Sequence, residues 1–283
     1  MQKYQHKKPD AVGKALIGLG LTLTFFLLIL PLVLIFYTAF KGGWALFAEN
    51  LLHPDMISAI KLTLLVALIT VPVNLVYGTF LAWCVTKFEF RGRKLLIALI
   101  DIPYAISPVV AGLCYLLLYG VQGWLGSWLD GYNIQLMFAW PGIVLVTIFV
   151  TSPYVARELI PLMQAQGSTE EEAAVLLGGS GWTVFRRVTL PNIKWALIYG
   201  TVLTSARAIG EFGSVSVVSG SIRGETNTLP LHVQLLHQDY NTVGAFTAAL
   251  LLASIALLTL VLKSLVEYKQ ARRAARSSGE TTN

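Results

Sequence analysis

Six stretches of this chain are apolar for longer than the ~20 residues that a helix needs to cross the hydrocarbon core of a bilayer. They run from about Ala15 to Phe40, Ile57 to Cys84, Leu95 to Tyr119, Ile134 to Val155, Trp195 to Val218 and Val243 to Val266. In hydrocarbon every backbone N–H and C=O must find its partner within the protein, which leaves helices for segments of this length. The expectation is an all-α integral membrane protein with six transmembrane helices. Composition agrees: only 13% of the residues are charged and 55% are hydrophobic, where soluble domains carry about 25% charged residues.

The basic residues orient the spans. Seventeen of the 21 lysines and arginines fall at the N-terminus (Lys3, Lys7, Lys8, Lys14), in the second and fourth loops (Lys87, Arg91, Arg93, Lys94; Arg157, Arg186, Arg187, Lys194) and at the C-terminus (Lys263, Lys269, Arg272, Arg273, Arg276). Lys41, Lys61 and Arg223 fall on the opposite side, and Arg207 lies within a segment. Excess positive charge marks the cytoplasmic side, so both termini are expected in the cytoplasm. The predicted organisation is a cytoplasmic segment 1–14, a membrane domain 15–266 and a polar tail 267–283 that is expected to fray. The first apolar stretch is too long for a signal-peptide core and is expected to remain as a span. All seven tryptophans sit at or beyond segment ends, the depth that an indole prefers. The net charge of +6 is read as orienting charge, with no nucleic-acid partner.

Catalytic motifs are missing. The sequence has no G-x-x-x-x-G-K-[ST] phosphate loop, no H-E-x-x-H and no G-x-S-x-G. Cys84 and Cys114 lie inside apolar segments without ligand-type neighbours, and His232 and His237 are five apart in an external loop, a weak metal spacing. The chain is expected to bind no metal or cofactor and to catalyse no reaction.

The fourth loop, about 164–191, carries the most information. It reads Gly167-Ser-Thr-Glu-Glu-Glu-Ala-Ala-Val-Leu-Leu-Gly178, then Gly179-Ser-Gly-Trp182, and ends in Arg186-Arg-Val-Thr-Leu-Pro191. Ser168 with Glu171, or Thr169 with Glu172, fits a capping box. Acidic residues in a first helical turn suit the helix dipole. The glycines end that helix, and Pro191 is expected to reset the chain before the fifth segment. As physics alone this is a well-capped connector. The anchors Glu172, Ala173, Ala174, Gly178, Leu190 and Pro191 also resemble, at matching spacing, the EAA loop of the membrane subunits of bacterial ABC importers; Val188 stands where that pattern has Ile. The resemblance implies a coupling helix that docks on a separate ATPase subunit, which would hold the ATP and Mg. It also implies the MetI-like permease fold.

Polar residues inside segments form a second group. A charge in a span is costly and faces a cavity or a partner. Arg207 and Glu211 are four apart, so a continuous helix would put them on one face as a pair. With Ser205, Ser214, Ser216 and Ser107 they are candidates for the translocation pathway or its gate, against the plainer reading of a packing ion pair. Asp101, Pro103, Ser107 and Pro108 interrupt the third segment, either as a packed kink or as a broken helix lining a cavity.

The runs Arg207-Ala-Ile-Gly-Glu-Phe-Gly213, Val215-Ser-Val-Val-Ser-Gly220, Ile222-Arg-Gly224 and Thr226-Asn-Thr-Leu-Pro-Leu231 resemble the W-type permeases of sulfate/thiosulfate importers, as do Asp101-Ile-Pro103 and Ser107-Pro-Val-Val-Ala-Gly112. That resemblance implies a bacterial inner-membrane subunit paired with a homologous T-type permease, two ATPase subunits and a periplasmic sulfate/thiosulfate-binding protein. It implies half of an ATP-driven pathway working by alternating access. The alternatives are a molybdate or tungstate permease and, less well supported, a secondary anion transporter or channel.

Overall fold

The computed structural model describes residues 10–279, without the side chains of 266, 267 and 269–279. Lys3, Lys7, Lys8 and the last four residues of the tail therefore lie outside the described residues. Among those described there is no strand.

Helix α1 (Ala11–Thr24) begins where the Asp10 carboxylate accepts the Gly13 N–H at 2.8 Å. One π-helical turn (Phe25–Ile29) joins it to α2 (Leu30–Phe40). No residue of α1 is buried, as suits a helix that is apolar on all sides. A short α3 (Gly43–Leu52) leads into α4 (Pro54–Lys87). The third segment is two helices, α5 (Arg93–Ala105) and α6 (Pro108–Tyr119), bent by 106°. Pro108 clashes with a helical residue before it, and Ser107 accordingly takes φ −58°, ψ 135°. The predicted segment is a broken helix rather than a kinked one. After a single turn, α7 (Gly126–Asp130), come α8 (Trp140–Thr151) and α9 (Pro153–Gln166), which pass together as one span of 27 residues.

Here the sequence reading needs correction. It begins the fourth span at Ile134 and ends it at Val155, whereas the helix starts at Trp140 and runs to Gln166. Pro153, Val155, Ala156, Leu159 and Met163 are buried, and this helical spacing continues beneath the charged pair Arg157–Glu158 at which the hydropathy reading stops. Arg157 is therefore a residue of this helix and not of an irregular loop.

The loop supplies α10 (Thr169–Leu176) and α11 (Gly181–Val184), and a π-helical turn (Phe185–Thr189) carries the latter without a break into α12 (Leu190–Ile209). Pro191 does not reset the chain. It sits two residues after the π-helical turn, inside a continuous helix, where it removes one backbone N–H donor without ending the helix. A break at Gly210–Phe212 precedes α13 (Gly213–Val218), α14 (Leu229–Gln238) and α15 (Thr242–Gly279). The helix of α15 continues to Gly279, through the described part of the stretch expected to fray.

Among the described residues, four helical spans are long and apolar enough to cross a membrane, or five with the bent pair α5–α6. Small residues set the crossings, as is usual where backbones approach in a membrane. A Cβ on Gly78 of α4 would lie 2.7 Å from Val155 Cβ of α9, and one on Gly112 of α6 would lie 2.7 Å from the Ser214 carbonyl of α13. The broken halves α6 and α13 thus pack backbone to backbone. Asn74, fully buried in α4, donates to Thr151 Oγ1 at 2.7 Å and to the Ile148 carbonyl at 3.2 Å. Such bonds contribute roughly 0.6–1.7 kcal/mol in a membrane. Leu62, Val66, Ile143, Val146, Val215 and Leu231 form one core; Ala82, Val155, Leu159, Met163 and Ile193 form another nearer the loop.

Candidate functional site: the loop helix and the charged residues within the spans

The loop helix α10 is held from behind by its own acidic residues. Glu171 meets Lys87 Nζ at 2.5 Å and accepts the Thr189 hydroxyl at 2.6 Å. Glu170 accepts from Asn192 Nδ2 at 2.5 Å. Lys87, the last residue of α4, also donates to the Gly167 carbonyl at 2.6 Å. The side chains of Lys87 and Glu171 are 12% and 18% exposed, so this pair is largely desolvated. A polar cavity of about 240 Å³ lies among Lys87, Gln166, Gly167, Glu170, Glu171 and Asn192. Glu171 is thus spent on α4 and the start of α12, so the predicted capping box does not form. Ser168 bonds to Glu172 instead.

The C-terminal end of α10 is a Schellman motif. Gly178 N–H donates to Val175 O at 2.9 Å and Gly179 N–H to Ala174 O at 3.0 Å, the pair of bonds that closes a helix with a left-handed residue. Gly178 is that residue, at φ +85°. Glu172, Ala173, Gly178 and Pro191 are exposed, while Ala174 and Leu190 are half-buried. Beside Gly178, Leu176 and Leu177 are 88% and 89% exposed. Apolar side chains that open to water mark a surface made to be covered. Across the loop, Trp182 and Phe185 stack at 5.8 Å and Phe185 reaches Trp83 of α4 at 5.4 Å, around an apolar groove of about 520 Å³.

Deeper in the fold, Arg207 and Glu211 form an ion pair, but not along one helix face as the spacing predicts. α12 ends at Ile209, and Glu211 lies in the break. Its side chain is 1% exposed against 28% for Arg207. Glu211 Oε1 also accepts from Ser214 N–H at 3.0 Å and Ser214 Oγ at 2.6 Å, which satisfies the first turn of α13. Arg207, Glu211 and Ser214 form one cluster. Ser205 and Ser216 return their hydroxyls to Thr201 O and Gly213 O, each at 2.8 Å. Ser107 is exposed at the start of α6.

A second charged group joins Asp101 of the third segment to Arg157, a pairing not foreseen from sequence. Arg157 Nε donates to Asp101 Oδ1 at 2.8 Å, and its guanidinium lies 4.4 Å over the Tyr104 ring. Tyr104 in turn contacts Tyr154 at 5.1 Å. The side chains of Arg157 and Asp101 are 50% and 40% exposed. On the opposite side of the fold His232 is buried, with Nδ1 3.1 Å from Asn227 Nδ2. The Thr63 hydroxyl accepts the Leu229 N–H at 2.8 Å, which ties the start of α14 to α4.

Residues 74–273 match the family described as binding-protein-dependent transport system inner membrane component. The chain is 62% identical over 265 residues to the sulfate transport system permease protein CysW of Escherichia coli (strain K12), covering 94% of this chain and 91% of that protein. It is 36% identical to CysT of the same strain, over 86% of this chain and 89% of that protein. In three dimensions it is similar to a chain of a bacterial ABC transporter involved in the import of the acidic polysaccharide alginate, with a TM-score of 0.74 at 17% identity, over 92% of this chain and 94% of that one. A second structure of a bacterial alginate transporter, similar to the same degree, is in complex with a periplasmic protein that carries an alginate pentasaccharide.

Proposed function

We infer, from the premise that this chain belongs to the binding-protein-dependent transport system inner membrane components, that it is a sulfate permease subunit of an ATP-driven importer. The observation that carries this reading is the 62% identity to a sulfate permease over nearly the whole chain. The loop adds its physical side. α10 is exposed on one face, ends in a bare glycine turn, and is clamped on its other face to α4 and α12 by Glu170 and Glu171. A push on α10 therefore reaches two spans directly.

The reading continues as follows. The chain crosses the bacterial inner membrane six times, by α1–α2, α4, the broken pair α5–α6, α8–α9, α12–α13 and α15, with both termini in the cytoplasm. It pairs with a T-type permease, and the similarity to CysT supports such a homologous partner. Two ATPase subunits hold ATP and Mg, and Glu172, Ala173, Ala174, Gly178, Leu190 and Pro191 shape the surface on which one of them docks. A periplasmic binding protein delivers sulfate or thiosulfate, a role favoured by the alginate transporter bound to its own periplasmic protein. Closure of the ATPases moves α10, and α11 with its π-helical turn passes that motion into α12. Arg207, Glu211, Ser205, Ser214, Ser216 and Ser107 border the breaks of α12–α13 and α5–α6, and form the gate of the pathway.

Uptake of labelled sulfate by cells lacking this gene, with and without the gene restored, tests the reading. Restored uptake that thiosulfate competes and phosphate does not is the expected result. Competition by molybdate stronger than by thiosulfate would move the assignment to molybdate, and uptake without any ATPase subunit would remove it.

A further inference from the structure

Arg157 lies inside the long apolar helix Trp140–Gln166 and not at its end. It is five residues into α9, beneath the whole of α8, and roughly 14 Å along the helix from Gln166 at 1.5 Å per residue. Asp101 lies a similar distance, roughly 12 Å, from the start of α5. Both side chains are nonetheless about half exposed. Tyr104 is 43% exposed beside them, and Ser107 at the break of the same segment is exposed as well. Charged side chains within such a helix turn to a water-filled cavity or a protein partner. Arg157, Asp101 and Tyr104 make a local polar patch between α5 and α9. It differs from the Arg207–Glu211 pair, whose carboxylate is sealed inside the chain.

The local chemistry suits an oxyanion. Arg157 uses Nε on Asp101, and a guanidinium carries five N–H donors, so its two terminal nitrogens remain to meet two oxygens of a tetrahedral anion side by side. Tyr104 supports the guanidinium from one face, which limits the rotamer entropy lost when an anion arrives. The Asp101 carboxylate competes for the same cation. That competition keeps the site weak, as a transit site must be if the ion is to leave again.

Resting on the sulfate reading above, we propose that Arg157, oriented by Tyr104 and Asp101, is a transient contact for the tetrahedral oxyanion within the translocation pathway. Asp101 occupies Arg157 when no anion is present.

The test uses the complete transporter. In cells lacking the gene, Arg157→Gln should lower sulfate uptake by about tenfold or more, the loss of a charge-assisted bond, with unchanged amounts in the membrane. Asp101→Asn should retain uptake to within about threefold. If Arg157 only anchored α9 to α5, the two variants would fall together, and that result overturns the proposal. A chemical arm covers poor assembly of Arg157→Gln. Arg157→Cys, in a chain with Cys84→Ala and Cys114→Ala, is modified in detergent and reconstituted with its partners. A trimethylammonium-ethyl thiosulfonate reagent should restore transport several-fold, and a sulfonato-ethyl reagent should not; equal effects of the two reagents overturn the proposal. Failure of the wild-type gene to restore sulfate uptake overturns the sulfate reading and this site with it. Wild-type uptake that survives in Arg157→Gln overturns the site alone.

Discussion

The ammonium of Lys87, at the end of α4, lies 2.5 Å from the Glu171 carboxylate on the loop helix α10. The same carboxylate takes the hydroxyl of Thr189 at the entrance to α12. One acidic side chain thus ties three elements, and the pair is mostly out of water. Removing one member of such a desolvated pair costs more than breaking an open surface bridge, which is worth about 0–1 kcal/mol.

Lys87→Met leaves Glu171 with a hydroxyl partner and no counter-charge, at a cost of about 1–3 kcal/mol. The expected outcome is a transporter whose ATPase still turns over while sulfate uptake drops, because α10 moves without pulling α4. Adding Glu171→Gln to Lys87→Met should recover part of the loss, with a coupling of about 0.5–3 kcal/mol for groups in one network. Uptake and ATPase rates measured on the same reconstituted preparations check this. Parallel losses of both rates in Lys87→Met would contradict it.

Gly178 gives a graded series. At φ +85° a side chain costs roughly 1–2 kcal/mol, least for asparagine and aspartate. No atom lies within 4 Å of a Cβ there, so conformation and not crowding sets the cost. Aspartate adds a negative charge at the C-terminal end of α10, where the helix dipole repels it. The expected order of uptake is wild type, then Gly178→Asn, then Gly178→Asp, then Gly178→Val. Copurification of the ATPase subunit should fall in the same order.

Much of this arrangement is legible in the sequence, and the gaps have physical causes. Four of the spans, or five with the bent pair, follow from apolar length, and the loop helix and its glycine end follow from Thr169–Leu176 and Gly178. The partners of Glu170 and Glu171 are not legible, because Lys87, Thr189 and Asn192 reach them only once α4 and α12 pack side by side. Arg157 is misplaced for a different reason. A hydropathy reading stops at the first charges, yet the buried positions Val155, Leu159 and Met163 keep helical spacing on one face past Arg157. The pairing of Arg207 with Glu211 is foreseen, but through a helix that ends two residues before the carboxylate.

Arg207→Ala would leave the Glu211 carboxylate buried with only Ser214 as partner. Removing one member of a buried pair costs about 3–5 kcal/mol, so the variant should be scarce in the membrane or melt early in detergent. Arg207→Ala combined with Glu211→Gln removes the uncompensated charge and should regain most of the thermal stability. If the pair is the gate, the double variant stays defective in uptake. Full uptake in the stable double variant would reduce the pair to packing.

His232 supplies a pH test on the face away from the loop. Burial pushes its pKa below the ordinary 6.5, Arg223 and His53 lower it further, and Asp55 and Asp239 act in the opposite sense. The unfolded chain therefore binds the proton at a higher pH than the folded one. Where the unfolded state holds more protons, stability rises with pH. The contribution of neutral His232 is full above about 6.5 and is lost as pH falls through the lower, folded value. Unfolding temperatures in detergent, measured from about pH 7.5 to pH 5.5, should fall more steeply for the wild type than for His232→Gln. The amide of that variant can still face Asn227 but takes up no proton. Parallel slopes for the two proteins would show that His232 does not set the acid sensitivity of the α14 region.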